Sequence, residues 1–248
     1  WDGLLAAAQA SGKRVAMTLA SGWYNASFFY SAGFTTGLNE DGSTTMDWNG
    51  EADYTGVEVT QAMLNIASNP AFMAVADGDI SNQIASGQLC AAVSGTWDAT
   101  AAQEAFGDGY AATKLATFTI AGAQLQQASV ADYKLVGVNA HSENAGWAAL
   151  LADWITNEAA QQQRFDEREI GPSNNTVLES DAVKENTALA ALAAQNEFGV
   201  VQMAGQNYWD PAATFGEMIA QGELNADDTA GIQSALDTLV EGVTAPIQ

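Results

Sequence analysis

Three times in this chain an aromatic residue stands directly before an Asn or Asp that reads as the N-cap of a helix: Tyr24-Asn25, Trp97-Asp98 and Trp209-Asp210. An Asx side chain at a helix start accepts from the free N–H groups of the first turn, so each pair predicts a helix beginning just after it. The ring would then lie at the helix mouth. In an α/β protein, mouths that follow strands border the crevice at the strand ends, where small molecules bind. Trp23 adjoins the first pair, and Asn207-Tyr208 leads into the third. Flat rings offer an apolar face, and Asn25, Asp98, Asn207 and Asp210 could bond hydroxyls at the edges. A sugar has that two-sided character. The expected ligand-binding set is Trp23, Tyr24, Asn25, Trp97, Asp98, Asn207, Tyr208, Trp209 and Asp210.

Packing offers a competing role for each ring. A hydrophobic residue just before a cap often packs on the residue four into the helix. That residue is Thr214 for Trp209, a poor partner, and Ala102 for Trp97. For Tyr24 it is Phe29, a good one, which leaves Trp23 as the more exposed ring there.

Little here supports catalysis. The single histidine, His141, falls in a polar turn, Asn139-Ala140-His141-Ser142, and no G-x-S-x-G elbow is present. Metal-binding spacings of the H-E-x-x-H or C-x-x-C kind are missing, as is a glycine-rich phosphate loop behind a strand. Asp98 and Asp210 are the only carboxylates near the rings, and helix capping accounts for both, so a glycosidase pair is not expected. No enzyme activity, cofactor or metal is expected.

The chain has 248 residues, 7 basic against 30 acidic, for a formal charge of −23. Such a surface repels nucleic acid and anionic membrane and offers few cations for phosphates or carboxylates. A neutral or cationic ligand fits better. The acidity leaves open a second binding reading, a cationic amine or quaternary ammonium ion held in an aromatic cage. The lone Cys90, in an apolar run, reads as a buried small hydrophobe. No membrane span, signal peptide or lipid-anchoring cysteine is visible, and the abrupt helical start at Trp1 reads as a processed or truncated product.

Helical and strand patterns alternate, with Gly or Pro at the joints, which predicts an α/β fold. Helices are expected over Asp2–Ala10, after Asn25, over Thr55–Ala67, over Asp79–Ser86 with Gly87 behind it, and from Asp98 to Phe106. Strands are expected at Val15–Leu19 and Leu89–Val93. Thr35–Gly50 reads as turn-rich with no role for Trp48, and Ala121–Ala128 as a loop or crossover. From Asn144 the pattern turns helical. The stripe Trp147, Leu150, Leu151, Trp154 and Ile155 predicts a core-facing helix. Further helices are expected over Glu158–Glu167, Ala182–Ala194, Pro211–Ala220 and Asp228–Val240, with Arg164–Glu169 as a solvated helix end.

These motifs, in this order and spacing, resemble the maltose-binding-protein-like group of extracellular solute-binding proteins of ABC sugar importers. Trp1-Asp2-Gly3-Leu4-Leu5 resembles the helix opening the second lobe. Ile84 to Trp97 is similar to the signature of helix, glycine, small-residue strand and Gly-x-Trp turn, whose indole faces the ligand. Tyr24 resembles a stacking tyrosine, although Gly22 and Trp23 replace the acidic residue and proline that precede it in maltose binders. Tyr208-Trp209 resembles the late pair whose tryptophan stacks on sugar, and Lys134 to Ser173 the return into the first lobe. The resemblance implies a periplasmic-binding-protein-like (type II) two-lobed fold, here one complete lobe plus part of the other. Residues 1–128 and 200–248 would form lobe two and 129–199 the later part of lobe one; nothing corresponds to the family's N-terminal segment. It also implies a carbohydrate ligand, delivery to ABC permease subunits, and an extracytoplasmic setting, periplasmic or as a cell-surface lipoprotein.

Overall fold

The computed structural model describes residues 1–246. Its first unit is helix α1 (Asp2–Ala10), strand β1 (Arg14–Met17) and helix α2 (Gly22–Ser31). Strands β2 (Thr36–Leu38) and β3 (Thr44–Met46) then form an antiparallel hairpin inside the segment that reads as turn-rich. Helix α3 (Gly56–Ala67) opens with a capping box, because Thr55 accepts from the Glu58 N–H while the Glu58 carboxylate accepts from the Thr55 N–H. Strand β4 (Phe72–Ala74), too short to leave a period in the sequence, leads to helix α4 (Ile80–Ala85), strand β5 (Leu89–Ala92) and helix α5 (Ala99–Phe106).

Strands β4, β1 and β5 make one parallel sheet with β1 in the centre. Strands β6 (Thr117–Ile120) and β7 (Ala123–Gln126) form a hairpin, which corrects the loop expected over Ala121–Ala128. Its two-residue turn, Ala121-Gly122, carries φ of 46° and 81°. Positive φ at both positions suits the twist of a tight hairpin, but an alanine there is uncommon, so the turn left no clear signature. Strand β8 (Ser129–Ala131) pairs in parallel with β9 (Gly199–Val201), bringing together two segments 70 residues apart.

Between those strands lie helices α6 (Ala145–Thr156), α7 (Glu158–Arg168), α8 (Asn175–Leu178), α9 (Asp181–Glu185) and α10 (Thr187–Gln195). The single helix expected over Ala182–Ala194 is two. Asn186 is extended at φ −69°, ψ 120°, and its side chain caps α10 by accepting from Leu189 N at 3.0 Å. After β9 come α11 (Trp209–Ala220) and α12 (Thr229–Thr244), the latter capped by Asp228.

The main core gathers α2, α3, α11 and α12 around Trp48, which is fully buried. Trp48 stacks on Phe29 at 4.2 Å and takes the edges of Tyr30 and Tyr208, both about 6.0 Å away. Trp1 is buried too, its indole N–H donating to Gln127 Oε1 at 2.7 Å. A separate small cluster, Phe165, Val177, Val183 and Leu189, holds α7 to α10 together.

Two expectations about burial are overturned. Trp147 and Trp154 are 75% and 66% exposed, and Leu150 and Leu151 lie open beside them, so α6 turns its apolar stripe to solvent. The neighbouring extended stretch also exposes Tyr133, Leu135, Val136 and Val138. The periodicity was that of a core helix, but no element among the described residues covers this face. Cys90 is exposed rather than buried, since β5 is an edge strand of its sheet. His141 sits in an exposed turn. No described helix is long and apolar enough to cross a membrane.

Candidate ligand-binding cleft

Three loops that follow the three parallel strands converge at one end of the sheet. After β1 the chain turns at Ser21 into α2, which places Trp23 and Tyr24 in the first helical turn. After β4, Asp77 and Gly78 (φ 78°) make the bend into α4. After β5, Ser94 to Asp98 form an extended step and a short 3-10 turn into α5. Trp209, following β9, closes the circle. These loops line a cleft of about 440 Å³ bounded by Ser21, Trp23, Tyr24, Asp77, Gly78, Ile80, Trp97, Asp98 and Trp209. The volume suits a small ligand, and the place, outside the carboxyl ends of parallel strands, is where open α/β sheets bind them. A recess of about 150 Å³ adjoins it, bordered by Trp23, Trp209, Val130 to Asp132, Gln202 and Ala204.

Each ring has a local reason for its position. Trp97, 65% exposed, lies across Gly95; a Cβ there would come within 2.2 Å of the indole, so only glycine lets the ring fold back this closely. Trp209, 37% exposed, stands edge-on against Tyr208 at 5.1 Å, and Tyr208 in turn meets Trp48. The Tyr208 hydroxyl donates to Gly22 O at 2.7 Å. Gly22 permits this approach, since a Cβ at that position would sit 2.6 Å from the tyrosine ring. Trp209 is thus the outermost member of a column of rings rising from the core.

The polar side of the cleft is acidic. Asp98 accepts from Ser81 and Ser94 hydroxyls, one on each carboxylate oxygen, tying α4 to the end of β5. Burial pushes the Tyr24 phenol pKa up; the Ser94 hydroxyl opposes this, and the Asp77 and Asp98 carboxylates add to it. No Lys, Arg or His lines either the cleft or the recess. Among the described residues no group of His, Cys, Asp and Glu could hold a metal ion.

Of the nine residues expected from the sequence, Trp23, Tyr24, Trp97, Asp98 and Trp209 are brought together around this one space. Asn25, Asn207, Tyr208 and Asp210 are not. Asn25 is no helix cap: α2 begins three residues earlier, with Ser21 as its N-cap and Ser21 O accepting from Tyr24 and Asn25 N–H. Its side chain is fully buried and donates to Leu19 O and Ala212 O, a tie between α2 and α11. Tyr208 is fully buried for the reasons just given. Asn207 donates to Ala245 O at 2.8 Å, anchoring the end of α12. Asp210 does not cap α11, which starts at Trp209, and it is exposed and not part of the cleft lining. Asp98 does occupy the N-cap position of α5, but its side chain serves the two serines instead of the helix N–H groups. Asp77 and Ser21 were missed; Gly78 beside Asp77 was the one available sign of a bend after β4.

A family model described as bacterial extracellular solute-binding protein matches residues 1–191. Comparison with curated proteins gives no match. Among solved structures, the ligand-free maltodextrin-binding protein MalE1 of L. casei BL23 superposes with TM-score 0.76 at 22% identity, over 99% of this chain and 65% of that one. The GacH receptor of Streptomyces glaucescens GLA.O, solved unliganded and with acarbose, gives 0.68 at 17% identity, over 97% and 63%. The Listeria monocytogenes maltose-binding protein MalE, in complex with maltose, gives 0.67 at 17% identity, over 100% and 65%. The chain therefore spans just under two thirds of each of these relatives. It carries, in part, the two-lobed α/β fold of periplasmic binding proteins. By the extent of the family match, this chain belongs to the bacterial extracellular solute-binding proteins.

Proposed function

We propose that the chain binds a carbohydrate in the cleft between Trp23, Tyr24, Trp97 and Trp209, outside the cytoplasm, and serves an ABC permease that imports it. The observation that carries this reading is the shared lining of Trp97 and Trp209 at the carboxyl ends of parallel strands. Two exposed indoles with hydroxyl and carboxylate groups at their edges present stacking faces and acceptors together, as a pyranose requires. The neighbours whose names refer to maltodextrin and maltose share this fold, which agrees with a sugar ligand. The match of residues 1–191 to a solute-binding family supports a binding role.

The lobes follow from the same reading. Residues 1–128 and 200–248 would form one lobe and 129–199 part of the other, joined through the paired strands β8 and β9. The bare stripe on α6 would then be the surface against which the rest of lobe one packs. Ligand held by one lobe would favour the closed arrangement because only that state makes both sets of contacts. Alone, the chain should hold sugar weakly, because it carries only part of the second set of contacts. The test is a titration of mono- and oligosaccharides by calorimetry and tryptophan emission. Saturable binding that is lost in Trp97→Ala and Trp209→Ala supports the reading; no response to any saccharide rejects it.

A further inference from the structure

We propose that Asp77 is a specificity-determining residue of this cleft: it accepts hydroxyl hydrogens at the edge of the bound ring and excludes saccharides that carry a negative charge. This rests on the saccharide reading above and extends it to the kind of sugar admitted.

The two carboxylates of the cleft stand in different positions. Asp98 has both oxygens engaged by Ser81 and Ser94, so its role is to position that wall. Asp77, on the bend between β4 and α4, is exposed and borders the cleft with no side-chain partner among the described residues. An ionised carboxylate without partners can accept from two adjacent hydroxyls, and such charge-assisted bonds are about twice as strong as neutral ones. Asp77 shares the cleft lining with Tyr24, Trp97 and Trp209, so a ring stacked there has this carboxylate in the same space.

The cations complete the argument by where they lie. All seven basic residues, Lys13, Arg14, Lys114, Lys134, Arg164, Arg168 and Lys184, lie outside the linings of the cleft and the recess, as does His141. A uronate or sugar phosphate entering this space would face two carboxylates and meet no cation, inside a protein of charge −23. Like charges placed together in this way act against the wrong ligand. A neutral polyol edge, in contrast, finds an acceptor ready.

The experiment titrates the chain with maltotriose, as a neutral probe, and with trigalacturonate, as an anionic one. Wild type is compared with Asp77→Asn and Asp77→Ala at 0.05 M and 1 M NaCl. We expect trigalacturonate to bind wild type at least tenfold more weakly than maltotriose at low salt, with the gap narrowing at 1 M as charges are screened. Asp77→Ala should weaken maltotriose about tenfold, which corresponds to about 1.4 kcal/mol. Asp77→Asn should recover part of that loss and raise trigalacturonate affinity several-fold. Equal binding of the two probes to wild type overturns the assignment and leaves the saccharide reading intact. So does an Asp77→Ala variant whose maltotriose affinity stays within twofold of wild type. Failure of every saccharide to bind wild type is a separate result; it removes the saccharide reading and this assignment with it.

Discussion

Replacing Gly95 with alanine should disable the cleft while sparing the fold. Gly95 has φ −115° and ψ −177°, extended backbone that alanine adopts without strain. The obstacle is Trp97, whose Cζ3, Cη2 and Cε3 would lie 2.2, 2.3 and 2.5 Å from the added methyl. The ring must swing out. It is 65% exposed, so moving it sacrifices little packing, and Gly→Ala at a compatible position tends to stabilise by about 0.4–1 kcal/mol through the unfolded chain. The melting temperature should therefore change by no more than about 2–4 °C in either direction. Binding should suffer more. An indole face covering roughly 50 Å² of sugar C–H surface contributes about 1.3 kcal/mol at about 25 cal/mol/Å². Losing that contact weakens affinity about tenfold. Calorimetric titration with maltotriose, alongside thermal melts of the same samples, reads both quantities. Maltotriose affinity within twofold of wild type would show that the position of the Trp97 ring is irrelevant to the ligand. A fall in melting temperature of ten degrees would show that Gly95 serves the core instead.

Further outcomes follow from the same structure. Tyr208→Phe removes the donor to the buried Gly22 carbonyl and should cost about 1–3 kcal/mol in urea unfolding, with sugar affinity much less affected because the ring that supports Trp209 remains. Burial raises the phenol pKa values of Tyr24, Tyr30 and Tyr208. Each folded value lies above the unfolded one near 10, so their contribution is full below pH 10 and is lost as pH rises through the folded values. Melts should be flat in this respect at neutral pH and fall steeply above pH 10, and Tyr30→Phe should soften that fall; an unchanged alkaline edge would refute the assignment. Trp147→Lys with Leu151→Lys on the open face of α6 should leave stability of this chain within about 0.5 kcal/mol and reduce binding of the dye ANS. A large destabilisation would mean that the face is covered.

The sequence was informative where local chemistry decides the outcome. Gly87 at φ 71° follows α4 as its position after an apolar-periodic helix implied, and α3 runs over Gly56–Ala67 where Thr55–Ala67 is expected. Short strands such as β4 and the hairpin of β2 and β3 carry too few residues for a period to show, and β4 pairs with β1 more than fifty residues away. Asn25 illustrates how a cap motif can mislead. Ser21 and Asn25 are both possible caps, and the choice is made by helix α11, whose Ala212 carbonyl takes the Asn25 amide inward. From sequence Trp48 has no assigned role and Tyr208 reads as a ligand-facing ring, but a three-ring column fixes both inside. Trp147 and Trp154 show the reverse: helical periodicity identifies an apolar face without saying what lies against it.

The most direct test of the account compares four single variants in one saccharide titration: Trp23→Ala, Trp97→Ala, Trp209→Ala and Trp147→Ala. The shared cleft predicts that the first three each weaken maltotriose binding severalfold or more and that Trp147→Ala, on the open face of α6 and in neither lining, leaves it unchanged. Loss of binding in Trp147→Ala with retention in both Trp97→Ala and Trp209→Ala would contradict it.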